Sequence, residues 1–463
     1  MLTYQRATTI AAPTDRVFEW HSQPAAFERL SPPWQPVHIE ARSGAALEPG
    51  STVSLRVKVG PFRLQWIAQH RDLIPGQMFS DHQIRGPFAS WEHRHCFNRT
   101  SEETTELVDQ VQYKLPFGWV GQLGTGYARG EIERLFAYRH RVTALDIGWH
   151  QRYQGQKMKV AITGSTGVIG SALCPFLESG GHIVVPLRRT SGKSDDAPSW
   201  NPTSGIFSDG ALQEVGAVVH LAGENIAARR WTTAQKTKIQ DSRVESTSRL
   251  CQALSQLAKP PKTLIVASAI GLYGDRGDEN LTESSTPGTG FLPELCQAWE
   301  AACEPAQAAG IRVVHLRLGI VITPTGGALG QMLTPFRMGL GGPMGSGRQY
   351  MSWVTLDDVI ASVLHALQTK ALTGPVNVVA PNAVTNAEFT KTLGHVLSRP
   401  TVFTMPSAAL RLLFGEIADE LLLASARVEP EQLKKTGFVF GHPTLEEALR
   451  HVLGRHELSS VTP

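Results

Sequence analysis

The most constraining feature of this sequence is a glycine-rich segment that directly follows a short apolar run. Residues 159–162 are followed by Thr163-Gly164-Ser165-Thr166-Gly167-Val168-Ile169-Gly170. A turn of this kind between a buried strand and a helix directs backbone N–H groups and the positive end of the helix at a pyrophosphate. The sequence therefore predicts a dinucleotide-binding α/β unit whose cofactor contacts begin with residues 163–170.

Downstream of this loop, apolar segments alternate with segments of helical periodicity. The apolar segments lack in/out alternation, which indicates a parallel sheet covered by helices on both faces. The predicted strands are 158–163, 182–187, 217–222, 263–268, 311–316 and 375–380, and the predicted helices are 168–179, 233–258, 291–309 and 356–368. We therefore predict a Rossmann-type, doubly wound α/β domain over 158–463, with a small substrate-side lobe over about 384–463.

Two arginines follow the second predicted strand of this domain. In a dinucleotide fold this position lies beside the adenosine ribose, where an acidic residue binds the 2′-hydroxyl and arginine accommodates a 2′-phosphate. Arg188 and Arg189 therefore favour NADP over NAD; the alternative is that they are solvated charges at a strand end. The next two strands supply further predicted cofactor contacts, which are Leu221, Ala222, Gly223 and Ala267.

The first 149 residues have a different pattern, in which short segments alternate between apolar and polar residues. This period of two is strict over 51–59 and describes a half-buried strand. Further strands are predicted at 63–73, 77–85, 90–98 and 104–115, and helical spacing predicts a long helix within 126–147. The prediction is an α+β domain in which one helix closes a bent antiparallel sheet. The polar residues 150–157 form the predicted linker.

Composition argues against several other classes of protein. The formal net charge of +3 gives no reason to expect a nucleic-acid partner, and the five cysteines include no CxxC pair, which fits a reducing compartment. The amino terminus lacks the apolar stretch of a signal peptide, and no apolar run reaches the roughly 18 residues of a membrane span. We expect a cytoplasmic protein without a membrane partner.

Several motifs between residues 158 and 450 resemble the extended short-chain dehydrogenase/reductase superfamily, and within it the atypical epimerase family. They include the segments 221–226, 230–232, 241–244, 268–275, 299–300, 339–349, 352–354 and 357–358. This group contains proteins similar to nucleoside-diphosphate-sugar epimerases and to cell-division inhibitors. The resemblance implies an NAD(P)-binding protein that acts on a small molecule.

The N-terminal half resembles the START-like polyketide cyclase/dehydrase superfamily, which has the helix-grip fold. The resemblance covers residues 3–147 through the order of its elements, and the segment Ala12 to Trp20 is its most family-like part. It implies a cavity between sheet and long helix that accepts an apolar ligand. The alternative is an interior that is simply packed.

The resemblance also raises a question about the reaction. Reductases of the parent superfamily use a tyrosine and, four residues later, a lysine, together with a serine that positions the substrate carbonyl. The single Tyr-x-x-x-Lys match, Tyr153 to Lys157, lies in the linker, and the usual dyad positions fall near Cys296 and Glu300. The catalytic candidates that remain are Ser268 and Tyr273. Tyr273 could instead anchor its loop, and Cys296 is expected to be a core residue.

Two further groups of polar residues are candidates for binding. The glycine-rich segment 339–353 is predicted to be a substrate-side loop, and the alternative is a structural connection. The predicted substrate contacts are Glu224, Arg348, Gln349 and Trp353. His93 and His95 lie on one face of a predicted strand and could form a metal pair, but no third ligand is evident and an exposed strand face explains them equally well. We predict no metal site.

These observations lead to two hypotheses of different kinds. The first is an NADP-binding oxidoreductase or epimerase-like protein of unknown substrate, without the usual dyad and with an appended domain for an apolar ligand. The second is a non-catalytic NADPH-binding sensor or scaffold. Lipid transfer through the N-terminal cavity would require no nicotinamide cofactor.

Overall fold

The computed structural model describes residues 1–35, 37–44, 47–60, 62–153, 155, 157–189 and 197–455, without the side chains of 119, 120 and 122. The chain forms two compact units. The N-terminal unit comprises Met1–Gln154 with Glu178–Gly181 and Arg450–Pro463, and the C-terminal unit comprises Gly155–Leu177 and His182–Leu449.

An antiparallel sheet of seven strands forms the N-terminal unit. The strands are β1 (Leu2–Ile10), β2 (His38–Ser43), β3 (Thr52–Val59), β4 (Phe62–Ile74), β5 (Met78–Arg85), β6 (Ser90–Arg99) and β7 (Thr105–Lys114). Their order is β1-β7-β6-β5-β4-β3-β2, so β2 to β7 form a meander and β1 pairs with β7. Strand β6 shows the predicted alternation, because Trp91, His93, His95 and Phe97 are buried on one face.

One long helix covers this sheet. The helices of the unit are α1 (Thr14–Ser22), α2 (Ala26–Arg29), α3 (Gly118–Gly121) and α4 (Thr125–Arg152). Ile132, Phe136 and Ile147 are buried along α4 and contribute to the core against the sheet. Helix α4 is longer than the predicted 126–147, and it includes residues 150–152 of the predicted linker.

The C-terminal unit is built on a parallel sheet of seven strands. The strands of the whole unit, including three short pairs outside the main sheet, are β8 (Lys159–Thr163), β9 (Ile183–Arg189), β10 (Ser199–Trp200), β11 (Ala217–His220), β12 (Thr263–Ala269), β13 (Asn280–Leu281), β14 (Arg312–Leu318), β15 (Ile320–Ile322), β16 (Tyr350–Met351), β17 (Trp353–Thr355), β18 (Gly374–Val378), β19 (Val384–Thr385) and β20 (Arg427–Val428). The main sheet has the order β10-β9-β8-β11-β12-β14-β18, and every neighbouring pair is parallel. The predicted doubly wound α/β architecture is therefore present.

Helices and short strand pairs surround this sheet. The helices are α5 (Val168–Ser179), α6 (Thr233–Gln240), α7 (Ser246–Ser255), α8 (Phe291–Ala301), α9 (Glu304–Ala308), α10 (Gly327–Arg337), α11 (Leu356–Gln368), α12 (Asn386–Leu397), α13 (Ser407–Phe414), α14 (Glu431–Lys435) and α15 (Leu445–Leu453). None of the described helices combines the length and apolarity needed to cross a membrane.

Two predicted helices differ from the structure. The predicted helix 233–258 is interrupted by a π-helical turn at Asp241–Glu245, between α6 and α7. The predicted helix 291–309 is divided into α8 and α9, because Pro305 lacks a backbone N–H and is accommodated in the first turn of a new helix.

Candidate functional site

The glycine-rich loop lies where the order of the parallel sheet reverses. Strands β9 and β11 flank β8, and dinucleotides bind at the carboxyl ends of the strands at such a switch point. Gly164 has a φ of +71°, and a Cβ on it would lie 2.8 Å from the backbone nitrogen of Ala222. A Cβ on Gly170 would overlap the carbonyl oxygen of Gly164 and lie 2.7 Å from Ser165 Cα. Glycine is therefore required at 164 for the loop to pack against the segment that follows β11, and at 170 for the start of α5 to pack against the loop itself.

Other hydroxyl-bearing residues of the loop differ in exposure: Thr163 is buried, whereas Ser165 is partly exposed and Thr166 is exposed. Thr163 is buried, and its Oγ1 lies 2.6 Å from His220 Nδ1, which joins the carboxyl ends of β8 and β11. Ser165 and Thr166 form no side-chain hydrogen bond within the described part of the chain. Helix α5 begins at Val168, so its free N–H groups lie at this loop. The loop thus offers hydroxyl and N–H donors suited to an anion.

The two predicted phosphate-binding arginines lie at the same edge of the sheet. Thr163 is paired with Leu187, so Arg188 and Arg189 continue β9 beyond the end of β8. Both arginines are exposed, and neither forms an ion pair with a described residue. Their guanidinium groups are available to a ligand at this edge.

An arginine with no predicted role lies beside the segment that follows β11. The Arg243 guanidinium lies over Gly223, where an added Cβ would be 3.3 Å from its Cζ, and 5.2 Å from the centroid of the Trp299 ring. Burial lowers the pKa of Arg243, although guanidinium groups stay protonated in proteins. Arg243 lies in the π-helical turn, a feature frequent at functional sites. The exposed Glu224 donates its backbone N–H to the neighbouring Ser242 Oγ.

The two predicted catalytic residues belong to a buried hydrogen-bond network. Ser268 donates its hydroxyl to Glu300 Oε1 at 2.7 Å, and Arg317 donates to both oxygens of Glu300 at 2.9 Å. Arg317 also donates to the Tyr273 hydroxyl at 3.0 Å, and that hydroxyl donates to Asn377 Oδ1 at 2.7 Å. Tyr273 has no exposed surface, and burial raises its pKa. These contacts favour the loop-anchor alternative for Tyr273 over a proton donor.

The positions of the usual dyad hold groups that cannot replace it. Cys296 is buried, and burial followed by the charge of Glu300 raises its pKa to about 12, so its thiol is neutral near pH 7. Burial opposes ionisation of Glu300, but its hydrogen bonds with Arg317 lower its pKa. A carboxylate already paired with Arg317 cannot supply the positive charge of the usual lysine. Ala267 precedes Ser268 on β12 and is buried at the same edge of the sheet.

The glycine-rich segment 339–353 is a mixture of loop and short strands. Gln349 is buried and donates its amide to the carbonyl oxygens of Met344 and Leu422. Trp353 lies in β17 with no exposed surface and donates its indole N–H to the carbonyl of Asn382. We therefore assign both side chains a structural role in place of the predicted substrate contacts. Arg348 is exposed and remains available to a ligand.

A second polar site lies inside the N-terminal unit. His93 and His95 are buried, with 4% and 6% of their surfaces exposed, so the expected alternative of an exposed strand face is wrong. Strand pairing places Asp81 opposite His93 and Asp109 opposite His95. His93 donates to Asp109 at 3.2 Å, His140 on α4 donates to it at 2.8 Å, and His95 Nδ1 lies 2.6 Å from it. Local sequence patterns do not indicate either carboxylate, because strand register alone places Asp81 and Asp109 beside the two histidines.

This cluster is charged despite its burial. Burial opposes a charge on His93, but hydrogen bonds to Asp109 and Asp81 raise its pKa to about 9. Burial, followed by the charge on His93, lowers the pKa of His95 to about 4. Asp81, His93 and His95 also offer three potential metal-ligand atoms within 4.8 Å of one another, so the third ligand that seemed absent from the sequence is supplied by β5.

The polar cluster forms one wall of a cavity of about 300 Å³ between the sheet and α4. Most of the lining is apolar and includes Leu55, Val57, Trp66, Phe79, Trp91 and Leu135. The interior is therefore not simply packed, which was the alternative considered for this domain. Asp81, His93, His95 and Arg139 contribute ionisable groups to the lining, which also includes His21, His70 and Arg42, the last of these paired with Glu28.

Comparison with known families matches the N-terminal and C-terminal parts of the chain to two different families. The family described as "NAD dependent epimerase/dehydratase family" matches residues 160–379, and "Polyketide cyclase / dehydrase and lipid transport" matches residues 10–134. A domain of unknown function matches residues 405–452. Both resemblances inferred from the sequence are confirmed.

Individual proteins are similar over either part or all of the chain. Epimerase family protein Mb2239 of Mycobacterium bovis is 46% identical over 296 residues, covering 64% of this chain and 98% of that protein. The structure of a nucleoside-diphosphate sugar epimerase from Corynebacterium glutamicum is 31% identical with a TM-score of 0.80, covering 99% of this chain and 91% of that one. Human epimerase family protein SDR39U1, solved with NADPH, is 35% identical with a TM-score of 0.59, covering 64% of this chain and 99% of that one.

Proposed function

Because this chain belongs to the NAD-dependent epimerase/dehydratase family, we propose that its C-terminal unit binds NADP(H) at the carboxyl edge of the parallel sheet. Residues 163–170 would hold the pyrophosphate, and Arg188 and Arg189 would hold the 2′-phosphate. Leu221, Ala222, Gly223 and Ala267 would lie beneath the dinucleotide. The human relative crystallised with NADPH supports this choice of cofactor.

The observation that carries the proposal is the combination of the glycine-rich loop with two exposed arginines that form no ion pair with a described residue. Side chains at Gly164 and Gly170 would collide with backbone, so the loop is built to bring N–H groups close together. Arg188 and Arg189 have no ion-pair partner among the described residues. An exposed pair of guanidinium groups at this position fits a 2′-phosphate and disfavours an unphosphorylated ribose.

The reaction we propose is an oxidoreductase or epimerase-like step on an unidentified small molecule. Bound NADPH supplies a hydride to such a substrate. The Arg243 guanidinium lies beside Gly223, where it can donate hydrogen bonds to a substrate oxygen and stabilise negative charge on it. Glu224 and Arg348 are exposed and are the remaining candidates for substrate contacts. We assign Ser268 to holding Glu300 in place.

The alternative is a sensor or scaffold that binds NADPH without turnover. It is favoured by the network of Ser268, Glu300, Arg317 and Tyr273, whose donors and acceptors already bond to one another. For the N-terminal unit, we propose that the cavity accepts an apolar ligand, because most of its lining is apolar. We take the N-terminal unit and the C-terminal unit as the two functional regions in place of the predicted 1–149 and 158–463, because α4 continues to Arg152.

Turnover of substrate separates the two alternatives. The full-length chain is incubated with NADPH and a panel of ketones, aldehydes and nucleotide sugars. Loss of NADPH absorbance reports reduction, and chromatography of the sugars reports epimerisation. If Arg243 stabilises charge in the transition state, Arg243→Gln should lower turnover by about 100-fold, equivalent to about 2.7 kcal/mol. Arg249→Gln is the matched control, because Arg249 lies on α7 and bonds to the Pro202 carbonyl. NADPH binding with neither NADPH consumption nor an epimerised product in the whole panel would favour the sensor, because an epimerase regenerates its cofactor in each turnover.

A further inference from the structure

The cavity of the N-terminal unit carries more charge than an apolar ligand requires. Its wall includes the ionisable groups of Asp81, His93, His95 and Arg139 beside aromatic and aliphatic side chains. Removing charged groups from water costs several kcal/mol each unless they are paired. The partner of each charge therefore indicates what the cavity can bind.

The two carboxylates of the cluster find their partners among the imidazoles. Asp109 accepts hydrogen bonds from His93 and His140 and lies 2.6 Å from His95 Nδ1. Asp81 Oδ2 lies 3.3 Å from His93 Nδ1, so His93 lies between the two carboxylates with both ring nitrogens engaged. Neither carboxylate lies within ion-pair distance of Arg139, although the charges of both raise its pKa against the effect of burial. The acidic groups of the cavity wall are thus already satisfied.

Arg139 is the charged side chain of this wall that forms no ion pair with a described residue. Its Nε donates to the Leu30 carbonyl at 3.3 Å, and its guanidinium carbon lies 5.4 Å from the centroid of the Phe136 ring. Among the described residues no carboxylate forms an ion pair with it. Arginine retains its proton even where burial disfavours the charge. A cation on the wall of an apolar cavity fits an anion that the ligand itself brings.

We propose that this cavity binds an apolar carboxylic acid, aliphatic or aromatic, whose carboxylate pairs with Arg139. The inference rests on the proposed apolar-ligand function of the cavity and adds the chemical class of the ligand. The planar fork of a guanidinium matches a carboxylate with two parallel hydrogen bonds. The apolar body would lie against Trp66, Phe79 and Trp91.

A divalent metal ion on Asp81, His93 and His95 is the competing occupant. The three ligand atoms are close enough for one ion. However, both ring nitrogens of His93 face carboxylates, so a metal would have to displace a proton that these carboxylates hold. The positive charge of Arg139 on the same wall also opposes a second cation. These observations favour the anionic ligand.

Calorimetric titration of the full-length chain tests the inference with matched pairs of probes. The pairs are 2-naphthoate with 2-naphthamide and decanoate with decanamide, in which only the charge of the head group changes. We expect at least one acid to bind about 30-fold more tightly than its amide, a ratio equivalent to about 2 kcal/mol. Arg139→Gln should remove this preference and leave amide binding within about threefold, and Arg139→Lys should retain part of it. Arg129→Gln, an exposed change on the same helix, should have no effect.

Three other results would overturn the inference. Equal binding of acid and amide would overturn the inference while leaving the apolar-ligand proposal in place. Failure of all four probes to bind would overturn both. Stoichiometric binding of Zn²⁺ that is lost in His93→Gln would assign the wall to a metal and also overturn the inference. If Arg139→Gln does not fold, the ratio of acid affinity to amide affinity in the wild type and in Arg139→Lys still tests the inference.

Discussion

Replacing Gly170 by alanine is expected to weaken NADPH binding by about 100-fold. The added Cβ would overlap the carbonyl oxygen of Gly164 and lie 2.7 Å from Ser165 Cα. Both contacts are with backbone, so the loop must move away from the position in which its N–H groups converge. Hydrogen bonds to charged groups contribute about 1.5–3 kcal/mol each, and the loss of one or two accounts for the expected factor. Calorimetric titration with NADPH measures it.

Gly216→Ala provides the control for this substitution. Gly216 precedes β11 at the opposite edge of the sheet, and the nearest atom to an added Cβ there would be Met158 Cβ at 3.6 Å, an ordinary van der Waals contact. We expect its NADPH affinity to match that of the wild type. An unchanged affinity in Gly170→Ala, with the fold intact by circular dichroism, would show that the cofactor does not depend on this loop.

Replacing Asp109 by asparagine is expected to lower the free energy of unfolding of the N-terminal unit by about 3–5 kcal/mol. Asp109 is buried and is the common acceptor for His93 and His140, with His95 beside it. Removing one member of a buried charge pair leaves the other uncompensated, which typically has a cost of this size. Hydrogen–deuterium exchange of peptides from β6 and β7 in the full-length chain measures the change locally.

The same variant should change how stability depends on pH. The pKa of His93 is raised to about 9 in the folded state, above its usual value near 6.5. Its contribution to stability is therefore complete below pH 6.5 and is lost as the pH rises through 9, by up to about 3 kcal/mol. Asp109→Asn should flatten this loss because it removes one of the two anions that hold the proton. The exposed Asp72→Asn on β4 should change neither quantity by more than about 1 kcal/mol. Equal slopes in wild type and Asp109→Asn would contradict the assignment.

Local patterns in the sequence were sufficient for the architecture and for the position of the glycine-rich loop between β8 and α5. The glycine-rich segment, the apolar strands and the two arginines each occupy a few consecutive residues, and their meaning depends on short-range geometry. Strand periodicity also placed His93 and His95 on one face. That this face is the inside of a cavity depends on the complete antiparallel sheet and on α4, which local patterns do not determine.

The candidate catalytic residues were harder to interpret because their partners come from distant parts of the chain. Tyr273 meets Arg317 from β14 and Asn377 from β18, and Ser268 meets Glu300 from α8. Only the packed fold shows that these hydroxyls are already engaged. Arg243, in contrast, lies at the site but was not predicted there. The π-helical turn that places it over Gly223 has no signature in the helical pattern of residues 233–258.

The most direct test of the account is the preference of the full-length chain for NADPH over NADH. Titration of both cofactors at the same ionic strength, in wild type and in the double variant Arg188→Ala/Arg189→Ala, compares their dissociation constants. The account predicts that the wild type binds NADPH at least about tenfold more tightly, equivalent to about 1.4 kcal/mol, and that the double variant loses this preference while NADH binding is retained. Equal affinities in the wild type, or binding of neither cofactor, would contradict it.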